Sequence, residues 1–187
     1  MKNIKLIFGF YLLFQNISSS AQNNFAIAYW YPKNTSDTIV PLWPSNRLII
    51  IVQDSIAYSG ASDEQMTSKI KMPELSASTF GGKSTLFNKK RNTKTVRRGN
   101  CDIAKKCRLV EKKNKYGEWK ITGEKKSILG FECTKAIGKN EYGKYAVWFS
   151  ERLPGGFGPH MMTNLPGFIL EAINENGIRS IAYKISY

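Results

Sequence analysis

The sequence is poorest in histidine and cysteine, with one of the first, His160, and three of the second, Cys101, Cys107 and Cys133. A single imidazole means that any Ser-His-Asp or Cys-His machinery would have to run through His160, and it excludes a histidine-rich metal centre. Three cysteines cannot all pair within one chain, so at least one thiol is free or has an outside partner. Acids are scarce too, 14 Asp and Glu against 28 Lys and Arg, and no spacing among them favours the carboxylate pair of a glycosidase. No apolar run reaches the roughly 20 residues of a membrane helix, so no membrane-spanning segment is expected. Gly81-Gly82-Lys83-Ser84-Thr85 matches the end of a phosphate-binding loop, but Ala77 stands where the first glycine is required and no strand leads in, which argues against nucleotide binding.

The first residues place Lys2 and Lys5 before the apolar runs Leu6 to Phe8 and Phe10 to Phe14, then Ser18-Ser19-Ser20-Ala21. That is the basic, hydrophobic and small-residue order of a signal peptide, expected over residues 1–21, although an N-terminal core strand has the same apolar character. No cysteine follows to carry a lipid anchor. The expectation is an exported chain, either periplasmic or secreted, with residues 22–187 as one domain.

Charge is uneven. Between Lys83 and Lys126 stand 16 Lys and Arg against Asp102, Glu111, Glu118 and Glu124. Such density suggests either a solvated face or contact with an anionic surface, such as lipid headgroups or acidic polysaccharide. Export and the lack of aromatics between Lys89 and Arg98 argue against nucleic acid.

Periodicity is that of strands. Phe25, Ile27, Tyr29 and Tyr31 alternate with Ala26, Ala28 and Trp30, and Leu48 to Val52 reads as a buried strand that forms a hairpin with Ala57-Tyr58-Ser59. From about 60 to 106 the chain reads as a basic, irregular excursion, with a short helix near Asp63 to Lys71. Beyond it, Arg108 to Lys112, Trp119 to Ile121, Ile128 to Ile137, Tyr145 to Ser150, Phe168 to Ile173 and Arg179 to Tyr187 form an antiparallel meander, broken at Gly123, Asn140-Glu141-Tyr142-Gly143 and Asn174-Glu175-Asn176-Gly177. The fold class is mostly β: a single-domain antiparallel curved sheet or partly closed barrel, with at most one short helix.

Within Ile128 to Ile137, alternation puts Cys133 beside Leu129, Phe131 and Ile137, a core face on which the thiol is inert. Cys101 and Cys107 flank five residues and are close enough to close a small disulfide loop, a pairing the sequence leaves open. The sharpest chemical pattern is His160-Met161-Met162: imidazole, thioether and, from Cys133, thiolate are soft ligands suited to Cu(I), although the spacing is not that of a regular metal motif and exposed-loop and packing roles fit the same residues.

The succession Trp119-Lys120-Ile121, Ile128 to Ala136, Val147-Trp148-Phe149, Leu153-Pro154, Gly158-Pro159 and Leu165-Pro166-Gly167-Phe168-Ile169-Leu170-Glu171 resembles the bacterial GLPGLI family from about Trp119 to Ala172. It departs at the naming motif, where Asn164 stands for the first glycine and Phe168 for the second leucine. The resemblance implies an exported envelope protein of largely unassigned activity, from a family whose genes often lie near those for outer-membrane receptor-like proteins, and supplies no catalytic residues. In the motif loop, which also holds Gly158 and Leu165, Pro154, Pro159 and Pro166 restrict the backbone, while Gly167 allows close approach as the chain re-enters the sheet; such a stiffened loop serves either structure or binding.

The expected function is a non-enzymatic binding or accessory protein of the envelope, with an apolar or anionic ligand or an outer-membrane protein as partner and no cofactor. Copper handling is the alternative, and a hydrolase the third reading. An apolar concavity bearing Trp30, Trp148 and tyrosines would favour the first. Convergence of His160, Met161 and Cys133 would favour the second, and a close carboxylate pair in a cleft the third.

Overall fold

In a computed structural model that describes residues 24–32, 47–60, 85–98, 108–115 and 117–187, the alternating segments pair into one antiparallel sheet. Its strands are β1 (Asn24–Trp30), β2 (Arg47–Gln53), β3 (Ile56–Ser59), β4 (Thr85–Asn88), β5 (Thr93–Arg98), β6 (Arg108–Lys113), β7 (Glu118–Ile128), β8 (Phe131–Asn140), β9 (Gly143–Ser150), β10 (Phe168–Asn174) and β11 (Arg179–Ser186). They lie in the order β6-β5-β4-β3-β2-β1-β11-β10-β9-β8-β7, so two meanders join where β11 returns beside β1. The sheet is curved and not closed: β6 and β7 are its two edges. No helix among the described residues is long and apolar enough to cross a membrane. The leader expected over residues 1–21, the helix expected near Asp63 to Lys71, Cys101 and Cys107 lie outside the described residues.

The central strands account for the longest apolar run. In β2, Ile50 and Val52 pack with Phe25, Ile27 and Tyr29 on one face, while Ile49 and Ile51 pack with Ala26 and Ala28 on the other. Burial on both faces removes the need for alternation, hence Leu48 to Val52 is continuously apolar.

Curling brings strands distant in the order together. Lys94 of β5 ion-pairs with Glu141 in the β8–β9 turn, and that lysine hydrogen bond, chiefly, holds the Glu141 carboxyl below its usual range. Asn114, just beyond β6, donates Nδ2 to Oγ1 of Thr163 at 2.9 Å, and the rings of Phe87 and Phe157 are 5.9 Å apart. The loop between β9 and β10 fills this fold: Leu153, Phe157, Met162 and Leu165 are buried, and the Ile169 amide donates to the Phe157 carbonyl.

Three expectations are corrected. The irregular excursion of 60–106 contains β4 and β5, because Thr93, Thr95 and Val96 favour strand and Lys94 is buried through its pairing with Glu141, so its charge does not mark a solvated loop. The break expected at Gly123 falls instead at Leu129-Gly130, both at positive φ (52° and 80°), a two-residue hairpin turn; Gly123 lies inside β7, at an irregularity of register. Leu129 therefore lies in the turn, 45% exposed rather than core, whereas Ile137 keeps the face of Cys133 but stands opposite Lys120 and Ala146 where that face is open, 43% exposed. The one helical turn described is a 3-10 turn at Pro159–Met161.

Candidate functional site

Cross-strand register assembles a surface that no segment holds alone. Lys135 of β8 stands opposite Trp148 of β9, which stands opposite Glu171 of β10. One row along, Lys120, Ile137, Ala146 and Ile173 are aligned across four strands, and beyond them Glu118, Lys139 and Lys144. Because direct opposites share a face, these side chains, apart from the buried Glu171, line one groove of about 790 Å³. Its floor is the exposed Ile137 with Ala146, Ile173 and the half-buried Trp148. Its rim carries Lys120, Lys135, Lys139 and Lys144 against Glu118 and Glu175, an excess of cations. Lys139 pairs with Glu118 at 3.2 Å and Lys135 with Glu124 at 2.9 Å. Lys120 and Lys144 make no ion pair with any described residue.

At one end of the groove, Nζ of Lys126 lies 4.3 Å from the centroid of the Trp148 ring, and that of Lys135 lies 5.7 Å from it. Lys126 also pairs with Glu171, a carboxylate with 2% side-chain exposure that accepts from Nε of Arg179 at 2.6 Å. Two cations on one buried carboxylate fix the charge beside the indole.

On the opposite face the loop of β9–β10 is latched to the sheet. His160, at φ 53° and ψ 34°, places Nε2 2.7 Å from Oγ of Ser180, stacks on Tyr145 and meets Tyr31 edge to face. Burial lowers the imidazole pKa from its ordinary value. Burial likewise, and to the largest extent, pushes the Tyr31 hydroxyl up to about 12, against a hydrogen bond with Ser180. Ser180 has no exposed surface, so this Ser-His contact closes a loop and presents no nucleophile.

The other expected site residues are distributed as follows. Cys133 is buried, donates to the carbonyl of Phe131 at 3.4 Å, and has its thiol raised to about 11, mainly by burial. It shares the face of Lys135 and Trp148, whereas His160 stacks on Tyr145 across the sheet, so the two are not brought together. Met162 is buried, and no cluster of three or more His, Cys, Asp or Glu among the described residues could hold a metal. In the motif loop, a Cβ on Gly167 would sit 2.1 Å from the carbonyl oxygen of Ser150, and one on Gly158 would sit 2.6 Å from Cβ of Ile169. Trp148 is in the groove; Trp30 is 6% exposed, within the sheet. The groove lysines and Glu171 were missed as a site in the sequence, where only their i, i+2 spacing marks a common face.

No protein-family model matches the chain, and neither does any curated protein. It is similar to two solved structures, titled as PNGF-II in its P21 and C2 space groups, with TM-scores of 0.61 and 0.59 at 18% and 17% identity. The match covers 88% and 87% of this chain but only 28% and 27% of those chains, so this chain spans little more than a quarter of their length. At such identity the likeness is one of fold: this mostly β architecture recurs as part of a larger protein.

Proposed function

We propose that the protein is a non-enzymatic binding module of the bacterial envelope, periplasmic or secreted, that holds an anionic amphiphile in the Trp148 groove. The coincidence of an apolar floor with a lysine-rich rim carries this reading. An acyl chain lies along Ile137, Ala146, Ile173 and Trp148, where burial is worth ~25 cal/mol per Å², and its acidic headgroup meets Lys120 or Lys144. The leader-like N-terminus and the GLPGLI-like motifs support placement in the envelope, where such a module would serve an outer-membrane partner.

Native mass spectrometry and calorimetry with dodecyl phosphate, against the neutral dodecyl maltoside, test it. A one-to-one complex with the phosphate, weakened on Trp148→Ala and on Lys120→Glu with Lys144→Glu, is expected. Equal binding of both detergents, or indifference to these substitutions, overturns it.

A further inference from the structure

A second cavity, of about 310 Å³, lies where the folded-over end of the sheet meets the motif loop. Its chemistry is unlike that of the groove. Four carboxamides, Asn88, Asn92, Asn114 and Asn164, and two hydroxyls, Thr93 and Thr163, surround the Phe87 and Phe157 rings. Lys89 is the one charged group and no carboxylate is present.

Several of these groups are already aimed. Asn88 accepts from the Arg91 amide through Oδ1 at 3.0 Å, which leaves its Nδ2 as a donor. Asn114 and Asn164 donate Nδ2 to Oγ1 of Thr163 and to the carbonyl of Gly117, at 2.9 and 3.2 Å, which leaves each Oδ1 as an acceptor. The side chains of Asn92, Thr93 and Lys89 make no hydrogen bond to any described residue. Asn92 is further fixed by its left-handed backbone (φ 50°) and by its carbonyl, which accepts from the Asn114 amide at 3.0 Å. Gly156 lets the loop close: a Cβ there would lie 2.4 Å from the carbonyl oxygen of Leu165.

We infer that this cavity is a binding site for a small neutral polyhydroxylated ligand, a monosaccharide or the terminal sugar of a glycan. Fixed donors and acceptors side by side match hydroxyls, each of which both donates and accepts. Phe87 and Phe157 close the cavity from behind as buried rings, the exposed Pro166 offers an apolar ring to the C–H face of a sugar, and the lack of a carboxylate or a cation cluster disfavours an ion. Apolar surface combined with a few oriented polar groups is the common form of a small-ligand pocket, and the volume is at the lower end of that range.

The test is amide NMR of the full chain, titrated to high millimolar concentration with glucose, mannose, galactose and N-acetylglucosamine, each also as its methyl glycoside. Glycerol and glucuronate serve as controls. Saturable shifts at residues 88–93, 114 and 163–165 with at least one sugar, weakened roughly tenfold by Asn92→Gly with Thr93→Val and unchanged by Trp148→Ala, are expected. Asn92→Gly retains the left-handed turn and Thr93→Val the shape of the side chain, so the loss reports the carboxamide and the hydroxyl together. A methyl glycoside that binds as well as its parent points to a glycan terminus; one that does not points to the free sugar. Absence of shifts at these residues with every sugar, or equal shifts with glycerol and glucuronate, overturns the inference.

Discussion

Nε2 of His160 lies 2.7 Å from Oγ of Ser180, and this contact ties the motif loop between β9 and β10 to strand β11. The imidazole is favoured in its neutral form, because burial lowers its pKa below the ordinary 6.5. The rings packed on it, Tyr31 and Tyr145, have raised pKa values and stay neutral in the same range.

Acid sensitivity follows from that latch. Above pH 6.5 the neutral ring is present in folded and unfolded chains alike, and its full contribution to stability is retained. As pH falls below 6.5 the unfolded chain takes up the proton first, so stability falls until the lowered folded pKa is reached, and then levels. Urea denaturation at pH 7.5 and pH 5 is expected to show a loss that is smaller in His160→Asn, a substitution that accepts the left-handed backbone. Equal pH dependence in both chains would refute the assignment to His160.

Glu171 is the buried charge on which the groove end is built. Glu171→Ala strands Lys126 and Arg179 and is expected to cost about 3–5 kcal/mol in urea denaturation. Adding Lys126→Met and Arg179→Leu is expected to recover most of that, because the stranded cations are then removed as well. A triple variant as unstable as the single one would show that Glu171 acts through something other than charge.

Close approach makes Gly167 and Gly138 irreplaceable for different partners. A Cβ on Gly167 would lie 2.1 Å from the Ser150 carbonyl oxygen, and one on Gly138 would lie 2.0 Å from that of Glu118 and 2.7 Å from the Trp119 ring. Each Gly→Ala change is expected to cost about 1–3 kcal/mol or more, as overpacking does. Gly123→Ala meets no atom within 4 Å and bears only the left-handed backbone penalty of roughly 1 kcal/mol. Thermal melts of the three variants order these effects.

Cys133 is expected to be silent toward thiol reagents. In a Cys101→Ser, Cys107→Ser background at pH 8, with the thiol raised to about 11 and fully buried, labelling by a disulfide reagent should be slow in the native protein and fast in urea. Rapid native labelling would place the sulfur at the surface.

The strands were largely legible because their signal is local. Phe25 to Tyr31, Tyr145 to Ser150 and Arg179 to Tyr187 alternate in sequence as they do across the sheet, and the buried β2 announces itself as a continuous apolar run. The excursion at 60–106 misled because Lys94 reads as solvated, and its burial depends on Glu141, 47 residues away. Leu129-Gly130 reads as strand because Leu lacks the turn preference of the Asn or Asp that usually precedes such a glycine, and that carried Leu129 into an expected core; Ile137 keeps the expected face, and only the open end of the sheet there exposes it.

Composition and alternation thus determined by themselves that the chain is β-rich, that Trp148 faces away from Val147 and Phe149, and that the Pro- and Gly-containing loop returns tightly to the sheet. Side-chain period and backbone freedom are properties of a few adjacent residues. Only the tertiary structure decided that Lys120, Lys135 and Trp148 share one surface beside the buried Glu171, that His160 and Cys133 are parted by the sheet, and that four asparagines meet over Phe157. Those juxtapositions depend on strand register and on the curl of an eleven-stranded sheet, which join residues far apart in the chain through contacts that no local pattern encodes.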